Sequence, residues 1–131
     1  MLIALAAASL SARAQDSPQA RAQTAALAWL GLIDAGDYAG SWAQAAEYFR
    51  GAVTQPGWVG VLTGARAPLG ALRSRTLQGA QLVRSLAGAP DGSYVVMQFD
   101  TQFEKKQAAG ETVTFVQEPD GAWRAAGYFI R

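Results

Sequence analysis

Arg66, Arg73 and Arg75 fall within ten residues of one another, around the Pro68-Leu69-Gly70 corner. Guanidinium groups at that density can form a fork that receives a carboxylate or phosphate ligand bidentately. If the chain after Leu72 is extended, Arg73 and Arg75 share one face of a strand, and Arg66 ends the preceding helix, where the helix dipole favours a cation. The structural alternative is that the arginines pair with Asp100, Glu104 or Glu111 across a sheet and order the fold. A ligand site predicts that Arg73→Met and Arg75→Met variants stay folded but lose the anion. Structural pairing predicts that they unfold.

Trp29, Trp42, Trp58, Trp123 and Tyr128 form an aromatic set that would suit a cavity for an apolar ligand between helices and sheet, the pocket expected of a non-enzymatic binding domain. Each tryptophan also sits in phase with the apolar stripe of its own segment, which is the pattern of ordinary core. In that case the indole N–H groups need partners inside. The candidate ligand-binding residues are therefore Arg66, Arg73, Arg75, Trp58 and Tyr128. A carboxylate base with a tyrosine hydroxyl to stabilise an enolate would draw on Asp100, Glu104, Tyr48 and Tyr128. No spacing singles out such a pair, and solvated carboxylates are what the polar face of a strand ordinarily carries. Asp91 and Asp120 belong to turns that account for them. No catalytic residue, metal ligand set or cofactor is assigned.

The chain has 131 residues, with no cysteine and no histidine. Zinc, copper and non-haem iron sites draw on thiolate and imidazole, and so do the Ser-His-Asp and Cys-His nucleophiles, so those chemistries are excluded. With 11 Lys+Arg against 10 Asp+Glu there is no cation excess to neutralise a nucleic acid. The remaining partners are a small molecule or a protein.

Leu2 to Leu10 is a short apolar run, followed by Ala12-Arg13-Ala14, the small-x-small form that precedes signal-peptidase cleavage. Residues 1–14 are expected to be a signal peptide, and 15–131 a single domain that is periplasmic or secreted and keeps no membrane anchor after cleavage. The alternative is that Leu2 to Leu10 extends the first helix. Cleavage would leave 10 basic against 10 acidic residues, a balance with little self-repulsion, which favours a homodimer through the sheet.

The elements that must position these residues follow from periodicity. Asp16-Ser17-Pro18 opens a helix with a capping side chain and an early proline, and Ala22, Ala26, Trp29, Leu30 and Ile33 form its buried stripe as far as Gly36. Asp37 caps a second helix with the stripe Tyr38, Trp42, Ala45, Ala46 and Phe49. Thr54 and Pro56 open a third segment, with Trp58, Leu62, Ala65 and Leu69 in phase. A strand at Trp58 to Leu62 is the alternative there. Its glycines, Gly57, Gly60 and Gly64, weaken the helix but share a face on which another backbone could approach closely.

From Leu72 the period becomes two. A strand region with a bulge near Gly79 runs to Leu86, and Pro90-Asp91-Gly92 turns the chain, its glycine supplying a positive φ. A strand covers Tyr94 to Phe103, with Val95, Met97, Phe99 and Phe103 facing inward. Gln107 to Gly110 is the next reversal, Glu111 to Glu118 the next strand, Pro119-Asp120-Gly121 a further turn, and Ala122 to Ile130 the last strand. Gly127 suggests a close backbone approach. Short turns make the strands antiparallel, so the class is α+β: N-terminal helices on a curved antiparallel sheet of about four strands.

Several landmarks occur together: Asp37-Tyr38 with Ser41-Trp42 and Ala45-Ala46, the Arg66-Ala67-Pro68-Leu69-Gly70 corner with Arg75, and Pro90-Asp91-Gly92-Ser93-Tyr94. The second half adds Phe99-Asp100-Thr101-Gln102-Phe103, Glu111-Thr112-Val113 and the closing run from Asp120-Gly121-Ala122-Trp123 to Tyr128-Phe129. In this order they resemble the bacterial domain-of-unknown-function 4019 family. The resemblance covers nearly the whole expected mature chain. It implies a small exported protein whose plan is similar to the cone shared by nuclear transport factor 2 and ketosteroid isomerase. It implies no activity and no catalytic residue. That cone often places a strand between its early helices, and here the only stretch before Leu72 that could supply one is Trp58 to Thr63.

Overall fold

The computed structural model describes residues 17–131, so the expected signal peptide at 1–14 lies outside the described residues. Helix α1 (Pro18–Asp34) begins at Ser17, whose Oγ accepts from the Ala20 N–H at 3.1 Å, and Ala22, Ala26, Trp29, Leu30 and Ile33 are its buried residues. Each large apolar side chain on that stripe stabilises the fold by roughly 1.5–3 kcal/mol over its exposed state. Gly36, at φ 84°, closes the helix in the left-handed region, and Asp37 caps the next by accepting from Gly40 N–H at 3.0 Å.

The second expected helix is two. Helix α2 (Tyr38–Ala43) stops, and α3 (Glu47–Ala52) restarts after an extended Ala46. The reason is tertiary. Ala45 and Ala46 are buried against the sheet, and the Ala46 N–H donates to the Ala125 carbonyl at 2.8 Å instead of completing a helical bond. No side chain of its own caps α3; the Glu118 carboxylate accepts the Glu47 N–H at 3.0 Å from the far end of the chain.

Helix α4 (Gln55–Ala65) resolves the ambiguous third segment as helix, capped by Thr54 Oγ1. Among the described residues its glycines do not mediate a close approach: a Cβ at Gly60 or Gly64 would meet nothing within 4 Å, and one at Gly57 would meet only the capping Thr54. A single 3-10 turn (Ala67–Leu69) leads to Gly70, at φ 77°, and this is where the chain does pack tightly. A Cβ on Gly70 would collide with the Glu104 carboxylate, because Glu104 N–H and Lys105 N–H donate to the carbonyls of Ala71 and Leu69 at 2.8 and 2.9 Å.

Strands β1 (Leu72–Val83), β2 (Tyr94–Phe103), β3 (Lys106–Gln117) and β4 (Trp123–Ile130) make one antiparallel sheet in sequence order. The bulge expected near Gly79 is present between Leu77 and Gly79. Two reversals differ from expectation. The β2–β3 turn is at Glu104–Lys105, so residues 107–110 are already strand, and in the β1–β2 connection the positive φ belongs to Gly88 (80°) rather than Gly92. Gly121, at φ 86°, behaves as expected. Gly127 has only an ordinary 3.9 Å neighbour, Thr114, so no close approach occurs there.

A further bulge, between Thr114 and Phe115 on the β3–β4 ladder, leaves Ala126 as an extra residue and lets Trp123, Ala125 and Tyr128 all face the helices. The core forms where α1 and α4 meet the inner face of the sheet: Trp29 stacks on Trp58 at 6.3 Å and meets Phe115 and Tyr128 edge-on at 5.9 and 5.7 Å. Ser41, fully buried, receives two indoles: its carbonyl accepts Trp29 Nε1–H at 2.8 Å and its hydroxyl accepts Trp58 Nε1–H at 3.0 Å. Trp42 Nε1–H donates to Val53 O at 2.7 Å, whereas Trp123 Nε1 is buried without a partner among the described residues. Among the described residues no helix is long and apolar enough to cross a membrane.

Candidate functional site

Between the C-terminal end of α1 and the inner face of the sheet lies a cluster of two guanidiniums and two carboxylates. Arg75 donates to Asp34 from Nη1 and Nη2 at 2.8 and 3.1 Å, and to Glu111 from Nε and Nη2 at 2.7 and 3.1 Å. Arg66 reaches the same Asp34 at 3.3 Å, donates to Gly70 O at 2.6 Å, and lies 4.4 Å from the centre of the Phe103 ring. Glu111 is fully buried and also accepts from Thr101 Oγ1 at 2.6 Å and from the Tyr128 hydroxyl.

Such a cluster stands only because its charges are paired, since removing ions from water costs several kcal/mol each. Asp34, at the C-terminal end of a 17-residue helix, is placed where the helix dipole disfavours an anion, and the two arginines offset that. Burial opposes the charge on Arg75, yet its hydrogen bonds to Asp34 and Glu111 outweigh this and hold its pKa above the usual arginine value. Burial first, and then the charge and hydrogen bond of Glu111, push the Tyr128 phenol above its ordinary value, so it stays a donor.

Of the five residues expected to bind a ligand, Arg66, Arg75 and Tyr128 meet in this cluster through Asp34 and Glu111. Trp58 joins through Trp29, and Phe49 packs edge-on against it at 4.9 Å. Arg73 is elsewhere. A register shift between Leu72 and Ser74 leaves it unpaired on the ladder, so it does not share a face with Arg75; it points to solvent and lies 3.7 Å from Glu104. Asp100 is exposed on the outer face.

The role of Asp34 was not anticipated from the sequence, although a carboxylate directly after the buried Ile33 at a helix terminus is a signal that a cation must follow. Glu111 appeared only as a pairing partner. Its phase with Val113 and Phe115 marks it as inward-facing.

The surface offers a different kind of site. A groove of about 910 Å³ runs between α3 and the ends of the sheet. Glu47, Tyr48 and Ala52 line one wall; Pro90, Asp91, Tyr94, Val116 and Pro119 line the other. Both walls are tied down. Tyr48 Oη donates to Gly88 O at 2.6 Å, Tyr94 Oη donates to Pro90 O at 2.6 Å, and Glu118 caps α3. Burial, followed by Tyr48 and the Asp91 charge, raises the Tyr94 pKa. Smaller depressions lie beside Trp29 and Trp123 and on the outer sheet face around Thr76 and Asp100. Arg66, Arg75, Glu111, Trp58 and Tyr128 line none of these. Among the described residues no group of three or more His, Cys, Asp or Glu is placed to hold a metal ion.

Helices followed by an open four-stranded antiparallel sheet, with a paired ionic cluster between the layers, define a small α+β domain whose interior is occupied by its own side chains. The family model described as "Protein of unknown function (DUF4019)" matches residues 25–128, and the chain belongs to that family. No curated protein matches it significantly.

Proposed function

We propose that this protein is an exported, non-enzymatic binding domain with a cone of the nuclear transport factor 2 kind, whose ligand sits in the groove beside Tyr48 and Tyr94. The observation that carries this reading is the contrast between the two candidate sites. The charged groups between the layers pair with one another, only Arg66 Nε lacking a hydrogen-bond partner among the described residues, whereas the groove exposes apolar and aromatic surface on a braced frame. The arginines then act as scaffold, and a periplasmic or secreted location follows from the expected leader at 1–14. The outer sheet face supports a homodimer: Gly79, Gln98, Thr112 and Phe129 align across all four strands, with Phe129 53% exposed.

Protein-observed NMR with a library of small fragments tests the binding site. Fragments are expected to shift the Tyr48, Gly92, Tyr94 and Val116 signals; shifts centred on Arg75 and Tyr128 would contradict the assignment. N-terminal sequencing of protein recovered from its host is expected to begin at Gln15, and retention of Leu2 to Leu10 would refute export by cleavage.

A second reading, a cofactor-free isomerase or hydrolase-like enzyme, draws on one observation: Tyr128 does donate to a buried carboxylate, which is Glu111 rather than Asp100 or Glu104. That pair lines none of the cavities described above, so the binding reading is the one adopted.

A further inference from the structure

The groove carries a charge pattern that the binding role alone does not use. Among the described residues three carboxylates, Glu47, Asp91 and Glu118, line it, and no lysine or arginine does. Glu118 is engaged by Arg124 at 2.8 Å and by the α3 cap. Glu47 and Asp91 have no ion-pair partner among the described residues. Arg124 lies in the adjoining depression, already spent on Glu118 and Asp120, and Arg50, also there, donates its Nε–H to Ala45 O.

We propose that this groove docks an extended segment of a partner protein through a lysine or arginine side chain. The inference rests on reading the groove as the binding site and adds the chemistry of its occupant. Carboxylates on both walls supply charge complementarity. Tyr48, 42% exposed and fixed by its hydroxyl, lines the groove with an aromatic ring for a cation, and the alanines and prolines accept the aliphatic stem. The site is an open groove rather than an enclosed cavity, which fits a chain lying along it better than a small molecule that must be surrounded.

Random short peptides displayed on phage are panned against the intact protein. They are then assayed against the folded variants Glu47→Gln/Asp91→Asn, Tyr48→Ala and Ala52→Trp, with circular dichroism confirming the fold. Enriched peptides are expected to carry Lys or Arg, to bind the double variant at least about tenfold more weakly, and to weaken as salt is raised. Enriched peptides without a basic residue that bind the double variant unchanged would overturn the cation assignment. If those same peptides fail on Tyr48→Ala or Ala52→Trp, the groove remains the binding site. Peptides indifferent to every substitution would overturn both claims.

Discussion

Arg73 and Arg75 are two residues apart and physically opposite. Arg75→Met leaves Asp34 and Glu111 buried without their main cation, and breaking a buried pair in this way costs about 3–5 kcal/mol. Arg73→Met removes only an exposed pair with Glu104 and is expected to cost less than about 1 kcal/mol. Urea denaturation of the two variants checks the difference; equal midpoints would contradict it. Tyr128→Phe removes a donor from buried Glu111 and should destabilise by roughly 1–3 kcal/mol. The phenol also makes stability depend on pH. Its folded pKa is raised above the unfolded value of 10.0, so this contribution is complete below about pH 10 and is lost as pH rises beyond it. The urea midpoint should fall above that pH, and fall less in Tyr128→Phe. The arginines were visible in the sequence as a group, but a one-residue register shift at Arg73 separated them, and such a shift leaves no trace in an alternating pattern.

At the scale of elements, local signals were sufficient wherever local chemistry decided the outcome. Ser17, Asp37 and Thr54 cap the helices that they were expected to cap, and the inward phase of β2 holds from Val95 to Phe103. Where tertiary contacts decided, the structure departs from the local signal. The stripe from Tyr38 to Phe49 is continuous in sequence, yet the helix breaks because Ala46 bonds to β4. Gly60 and Gly64 share a face of α4 yet meet nothing within 4 Å among the described residues, and the tight approach is at Gly70. This contrast gives a paired prediction. Gly60→Ala, in an open helical position, should stabilise by roughly 0.5–1 kcal/mol. Gly70→Ala, at positive φ and against Glu104, should destabilise, and thermal unfolding of the two variants should shift in opposite directions.

For the whole molecule, the fold class was legible because the helix period gives way to the strand period at Leu72. The groove was not, because its walls come from α3, the β1–β2 connection and the β3–β4 turn, which only the folded sheet brings together. If the outer sheet face pairs copies of the chain, Phe129→Glu should shift sedimentation from dimer to monomer without changing the circular dichroism spectrum. An unchanged dimer would place the contact elsewhere. Between helices and sheet, Arg75, Asp34, Glu111 and Tyr128 bind one another, and the proposed binding site is the outer groove. Crystals soaked in a series of small organic solvents test this most directly: probe molecules are predicted to gather against Tyr48, Tyr94 and Val116, and a probe seated against Trp58, Arg75 and Tyr128 would contradict it.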